Sequence, residues 1–163
     1  MDKQQQYCTF LIDGQYYGVA VDNVQEVLAG QHITNVPLSP DPVMGLLNIR
    51  GRIVTAMDMR RVLGLPDIEN RDDAMNVVVW HEGDEVSLIV DAIDDIVSLS
   101  PQAMEKAPET IREDLKSYIA GVFSLDAGLL MILDVGRVLE DERCLRISDS
   151  ARQAVPGSDN TLH

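Results

Sequence analysis

Cysteines, long apolar runs and leader-type patterns are scarce in this sequence, and each absence excludes a class of protein. The 163 residues contain two cysteines, Cys8 and Cys144, without metal-type spacing, whereas small secreted domains are usually rich in disulfides. No apolar run reaches the length of about 18 residues that a membrane-spanning helix needs. The first residues, MDKQQQYC, lack the basic and then apolar layout of a secretory signal. The sequence therefore predicts a cytoplasmic protein with reduced thiols and no direct membrane insertion.

Positive charge and aromatic side chains are also in short supply. Lys and Arg number 13 against 27 Asp and Glu, which gives a formal net charge of −14, and aromatic residues make up 4% of the chain. A strongly acidic protein repels phosphate backbones, and single-stranded nucleic acid needs a basic groove lined by aromatic rings. The only local concentration of positive charge is formed by four arginines: Arg50, Arg52, Arg60 and Arg61. These features predict that nucleic acid is not a partner.

Catalytic and metal-binding motifs are missing as well. The three histidines, His32, His81 and His163, lie far apart, and the sequence has no HExxH, CxxC, GxGxxG or GxxxxGK[ST] pattern. No nucleophile-elbow pattern is present either. We therefore predict no catalytic residue, no metal site and no cofactor, and an enzyme that uses scattered residues is the interpretation ranked third.

An internal repeat is the most informative feature that the sequence does contain. VDNVQEV at 21–27 reappears as VDAIDDI at 90–96, and MDMRRVL at 57–63 reappears as LDVGRVL at 133–139. Hydrophobic residues make up 45% of the chain, which is enough to fill a core. The chain therefore reads as two copies of one unit.

Both copies have the same order of short elements. A β-hairpin pattern is followed by an aspartate, Asp22 or Asp91, that we expect to cap a short helix. A second pair of strands follows, and each copy ends in another helical turn that begins at Asp58 or Asp134. Because these aspartates recur in both copies, we assign all four to the fold rather than to a functional site.

Short strands with tight turns leave no room for crossover helices. This pattern predicts an all-β fold of two small antiparallel barrels related by the repeat, with short helices between strands. We expect a single domain over 7–148, with subdomains at about 14–66 and 76–140 and the terminal segments packing across them. Residues 1–6 should be mobile and 149–163 a disordered tail, because neither segment has much to bury.

The second hairpin of the first copy carries an arginine that the other copy lacks. NIRG at 48–51 corresponds to SLDA at 124–127, so the unit fold does not demand Arg50, while Gly51 is expected to serve the turn. Two interpretations stay open. Arg50 either forms an ion pair within the chain, for instance with Glu26, or presents its guanidinium to the carboxylate or carbonyl groups of a partner.

Four stretches occur in an order and spacing typical of one family: YYGVAVDNVQEVL, ITNVPLSPDPVMGLLNIRGRIVTAMDMRRVLGLP, VSLIVDAIDDIV and YIAGVFSLDAGLLMILDVGRVL. Together they resemble the CheW family of bacterial chemotaxis coupling proteins over residues 7 to 140. The resemblance implies two five-stranded SH3-like barrels and a non-catalytic adaptor without a cofactor. It also implies two partners, the regulatory domain of a CheA-type histidine kinase and the cytoplasmic tip of methyl-accepting chemoreceptors.

The resemblance further implies a receptor-facing groove. Val24 and Glu26 of the first short helix, together with Asn48 and Arg50 of the hairpin, would form it in a helix-in-groove mode. Members of the family commonly carry a proline in the strand after this hairpin, where the chain has Thr55. Two alternatives stay open: an adaptor of a parallel chemosensory system that controls pili or another output, and a β-barrel that binds a small ligand.

Overall fold

Strands dominate the structure, so the all-β prediction is confirmed. The computed structural model describes residues 3–30, 33–34 and 43–140, and these contain eleven strands, three α-helices of at most five residues and three 3-10 turns. The helices are α1 (Met59–Val62), α2 (Glu113–Lys116) and α3 (Val135–Leu139). No helix in the described ranges is long or apolar enough to span a membrane.

The strands form two separate sheets. The six-stranded sheet has the order β3-β7-β8-β6-β5-β4 and the five-stranded sheet has the order β10-β11-β2-β1-β9. In chain order the strands are β1 (Gln5–Ile12), β2 (Gln15–Ala20), β3 (Val24–Ala29), β4 (Ile33–Thr34), β5 (Val43–Ile49), β6 (Arg52–Asp58), β7 (Met75–His81), β8 (Asp84–Val90), β9 (Ala92–Leu99), β10 (Ile119–Leu125) and β11 (Gly128–Leu133).

Each sheet curls into a barrel because its two outer strands are linked. In the six-stranded sheet, β3 and β4 stand at opposite ends of the order yet are nearly consecutive in the chain. In the five-stranded sheet, Glu105 follows β9 and exchanges two backbone hydrogen bonds of 2.8 Å with Val122 of β10. Most pairs are antiparallel, as expected, but each sheet also contains one parallel pair, β6 with β8 and β2 with β11.

The barrels do not coincide with the two sequence copies. The hairpin β1–β2 belongs to the first copy but completes the sheet of β9–β11, and β7–β8 of the second copy completes the sheet of β3–β6. Each barrel therefore mixes both copies, which differs from subdomains built on the consecutive ranges 14–66 and 76–140. The predicted mobile segment at 1–6 also differs from the structure in part, because Gln5 and Gln6 belong to β1 and pair with β9. The expected tail at 149–163 lies outside the described residues.

The expected helices after Asp22 and Asp91 are strands. Burial alternates along β3, with half-buried Val24 and exposed Gln25, which is the period of a strand with one covered face. Asp22 lies in a three-residue 3-10 turn and caps nothing with its side chain. Asp58 and Asp134 do cap α1 and α3, since their side chains accept hydrogen bonds from the backbone N–H of Arg60 at 2.9 Å and of Arg137 at 3.0 Å.

Most of the core lies between the barrels rather than inside them. The largest buried cluster includes Phe10 and Ile12 of the five-stranded barrel and Met57 and Leu88 of the six-stranded barrel. Smaller clusters fill the interior of each barrel. Cys8 belongs to the shared core as a free thiol whose pKa is raised by burial, while Cys144 lies outside the described residues.

Candidate functional site

The hairpin between β5 and β6 holds Arg50 in a fixed position. Arg50 and Gly51 both have positive φ angles, 52° and 84°, as the two central residues of a type I′ turn do. The side chain of Asn48 steadies this turn, because its Oδ1 accepts a hydrogen bond from the N–H of Gly51 at 2.9 Å. A two-residue loop therefore presents the Arg50 side chain with little backbone freedom.

Two arginines and two glutamates form a connected group at this end of the six-stranded barrel. Arg50 Nη1 lies 2.5 Å from Glu26 Oε2, and Arg52 Nη2 lies 2.9 Å from the other oxygen of the same carboxylate. Arg52 Nη1 also donates to Glu85 at 3.0 Å. We call Glu26, Arg50, Arg52 and Glu85 the barrel-end cluster.

The cluster is layered, with its carboxylates below its guanidinium groups. The side chains of Arg50 and Arg52 are 71% and 41% exposed, whereas those of Glu26 and Glu85 are 18% and 14% exposed. The exposed layer of the cluster therefore consists of guanidinium groups, although the four charges sum to zero. In a chain with a net charge of −14 the cluster is a locally neutral group whose outermost atoms are cationic.

Strand periodicity explains why these residues meet. Side chains two positions apart point to the same face of a strand. Three members of the cluster each stand two positions from a residue on the barrel-interior face: Glu26 from Leu28, Arg52 from Val54, and Glu85 from Ser87. The interior face of each strand thus ends in a charged residue at the barrel rim, where the charge reaches water.

The structure brings together only part of the expected receptor groove. Glu26 and Arg50 form the ion pair that was one of the two interpretations of Arg50, and Asn48 supports the turn. Val24 is half-buried and packs against the core shared by the two barrels. Because Val24 and Glu26 lie on β3, the expected groove contains a strand where a short helix was predicted.

Two residues of the cluster, Arg52 and Glu85, were missed by the sequence reasoning. The internal repeat carried the signal, because the structure aligns Arg52 with Gly128 and Glu85 with Tyr16, so in each case the corresponding position of the other copy lacks the charge. A guanidinium remains charged at physiological pH. The cluster can therefore bind carboxylates or carbonyl groups by charge-assisted hydrogen bonds, and it is not suited to moving a proton.

A second arginine site connects the barrels. Arg60 forks onto Asp91, with Nε to Oδ1 at 2.9 Å and Nη2 to Oδ2 at 2.6 Å, and the N–H of Asp13 donates to the same carboxylate at 2.7 Å. Burial alone would raise the pKa of Asp91, but the hydrogen bonds from Arg60 and Asp13 and the charge of Arg60 together lower it below the usual value. Asp91 thus serves the fold as expected, through an ion pair instead of a helix cap.

One group of side chains among the described residues could hold a metal ion: His81, Glu82 and Glu140. His81 Nε2 lies 3.3 Å from Glu140 and 3.9 Å from Glu82. Both carboxylates are largely exposed, whereas His81 is half-buried with its Nε2 shielded from water. Exposed acidic groups of this kind are common without a metal ion.

Comparison with known proteins decides the family. The model of the CheW-like domain matches residues 6–143, which is most of the chain. The chain belongs to the CheW-like domain family. The chemotaxis protein CheW of Bacillus subtilis is 29% identical over 147 residues, covering 90% of each chain, and the CheW of Klebsiella aerogenes is 24% identical, covering 91% of this chain and 89% of its own.

A solved structure confirms the fold. The crystal structure of the scaffolding protein TtCheW from Thermoanaerobacter tengcongensis superposes with a TM-score of 0.77 at 24% identity, covering 88% of this chain and 91% of its own. The expected CheW-type fold of two SH3-like barrels is therefore confirmed. The family relatives and this neighbour together indicate a chemotaxis scaffold of the adaptor type.

Proposed function

We propose that this CheW-like domain is a non-catalytic adaptor that couples chemoreceptors to a CheA-type histidine kinase. The family membership, the chemotaxis relatives and the scaffolding neighbour support it. In this proposal the chain works in the cytoplasm and is recruited to receptor arrays at the membrane. One partner is the regulatory domain of the kinase, and the other is the cytoplasmic tip of the receptor.

The observation that carries the receptor side of this proposal is the exposure of Arg50 on a rigid turn. Its guanidinium is already oriented by Glu26 and by the turn that Asn48 supports, so binding a receptor carboxylate orders little that is not already ordered. The proposed receptor-binding residues are Val24, Glu26, Asn48 and Arg50. Val24 and Asn48 act indirectly: Val24 packs β3 against the core shared by the barrels, and Asn48 holds the turn.

A two-partner binding assay tests the proposal. The wild-type chain is expected to retain both the regulatory domain of the kinase and a receptor-tip fragment in a pull-down. Arg50→Glu should weaken receptor binding by about tenfold or more, because the reversed charge opposes the receptor's carboxylates, and should leave kinase binding unchanged. Its melting temperature should shift by less than about 4 °C, since an exposed ion pair contributes little to stability.

Arg137→Glu is the matched control. Arg137 is also exposed and also lies within 4 Å of a carboxylate, that of Asp134 at 3.6 Å, but it belongs to α3 and donates to the carbonyl oxygen of Ile119 of β10 at 3.4 Å instead of joining the barrel-end cluster. This variant should bind both partners like the wild type. Failure of the wild-type chain to bind either partner would refute the adaptor function, whereas equal receptor binding by Arg50→Glu and wild type would refute only the role of Arg50.

A further inference from the structure

The single tryptophan of the chain lies beside the barrel-end cluster. Trp80 pairs directly with Glu85 across the antiparallel strands β7 and β8, so their side chains share one face and lie next to each other. Trp80 also stands two positions from Val78 of the barrel interior. It is therefore a rim residue like the members of the cluster. A series of neighbouring side chains runs from Trp80 through Glu85, Arg52 and Glu26 to Arg50.

Packing among the residues that the structure describes leaves Trp80 exposed. The residue is 47% exposed, although an indole ring gains much from burial and its N–H usually finds a hydrogen-bond partner when buried. Tryptophan and arginine are the residue types most enriched among those that dominate the binding energy of protein interfaces. Here both types stand at the same rim.

The internal repeat shows that the fold does not need this arrangement. The cross-strand pair Trp80–Glu85 corresponds to the pair Leu11–Tyr16 in the other barrel, because each pair flanks a two-residue turn whose residues both have positive φ angles. The remaining members of the cluster are replaced in the other copy by two acids and a glycine: Asp95, Asp126 and Gly128. One barrel thus carries a tryptophan and two arginines at its rim, and the corresponding positions of the other barrel carry neither residue type.

We propose that Trp80 and Arg52 extend the receptor-docking site, and that the docked segment carries a carboxylate over Arg50 and Arg52 and an apolar side chain against Trp80. The inference rests on the proposed function and specifies the chemistry of its receptor side. Charge complementarity supports an acidic partner, because the two guanidinium groups lie above the carboxylates that hold them. The apolar contact supplies a desolvated anchor beside them.

A titration with a receptor-tip fragment that contains no tryptophan tests the inference. Trp80→Ala should bind about tenfold more weakly than the wild type, and Trp80→Phe should fall between the two because it keeps part of the ring surface. Ile96→Ala is the matched control, since Ile96 is 60% exposed on β9 of the other barrel, and its affinity should stay within about twofold. Affinity of Trp80→Ala equal to that of the wild type would overturn the inference.

A second measurement uses the wild-type chain and so does not depend on how a variant folds. The fluorescence of Trp80 reports directly on this site because the chain has no other tryptophan. Bound receptor fragment should reduce the quenching of this fluorescence by acrylamide, and unchanged quenching at saturation would overturn the inference. Receptor binding that depends on Arg50 but not on Trp80 would leave the proposed function standing, whereas absence of receptor binding in the wild type would refute both.

Discussion

At the scale of single residues, two glycines determine whether the barrels can close. Gly45 of β5 has a φ angle of 153°, and a Cβ added there would lie 2.8 Å from the carbonyl carbon of Thr34. A Cβ at Gly121 of β10 would lie 2.9 Å from the carbonyl oxygen of Glu105. Both glycines stand at register shifts beside the segment that completes a barrel, Gly45 opposite β4 and Gly121 opposite Glu105, so the same close approach recurs in both barrels.

Gly45→Ala should therefore destabilise the chain by about 2 to 4 kcal/mol, because the added methyl group overlaps the backbone of β4 and the φ angle is unfavourable for alanine. Chemical denaturation with a two-state analysis measures the loss. Gly14→Ala is the control, since its φ angle of 76° is also unfavourable but the added Cβ has no atom within 4 Å. It should cost only about 1 kcal/mol. Similar losses in both variants would contradict the role of Gly45 in closure.

Residue-level sequence reasoning succeeds where the cause is local. The caps at Asp58 and Asp134 depend on the next few residues of the chain, and the pattern around them is sufficient to place them. Arg52, Trp80 and Glu85 could not be found in this way. Their proximity depends on which strands pair, and that pairing is set by contacts between distant parts of the chain.

At the scale of elements, β3 and β9 show how tertiary pairing overrides a local pattern. A short amphipathic stretch after an aspartate satisfies the period of a helix and that of a strand about equally well. The stretch from Val24 to Ala29 becomes a strand because β7 offers it an unpaired edge, and the stretch from Ala92 to Leu99 does so against β1. The sequence could indicate that an element exists here but could not determine its type.

An ion pair also links two elements, α1 and the β8–β9 junction, and its contribution to the free energy of unfolding should depend on pH. The pKa of Asp91 is lower in the folded chain than in the unfolded chain. The pair therefore stabilises the fold fully above the unfolded value of about 3.9, and this stability is lost as the pH falls through the lower, folded value. Asp91→Asn should cost about 2 kcal/mol near pH 7. Its difference from the wild type should shrink below about pH 4.

Denaturant titrations of the wild type and Asp91→Asn across this pH range provide the measurement. Asp94→Asn, with an exposed side chain on the neighbouring β9, is the matched control and should show a small difference at every pH. Arg60→Lys should lose part of the same stability, because lysine keeps the charge but not the two-pronged geometry of the guanidinium. A pH-independent difference for Asp91→Asn would contradict the assignment of Asp91 as an ionised partner of Arg60.

At the scale of the whole molecule, the exchange of hairpins makes the two barrels one unit. Each barrel takes two strands from the other copy, and the largest buried cluster lies between the barrels. The repeat in the sequence was sufficient to predict two related barrels. It could not reveal the exchange, because either hairpin has the strand pattern needed to complete either sheet. Comparison of the two copies also shows why the barrel ends differ. Positions that are alike in both copies serve the fold, and positions that differ between them form the proposed docking site.

The most direct test of this account is to map the receptor contact on the whole chain. Backbone amide chemical shifts of the isotope-labelled protein would be followed while a receptor-tip fragment is added. The account predicts that the largest changes occur at one end of the six-stranded barrel, at residues 24–26, 48–52 and 80–85. Largest changes at the equivalent end of the five-stranded barrel, at residues 11–16, 95 and 126–129, would contradict it.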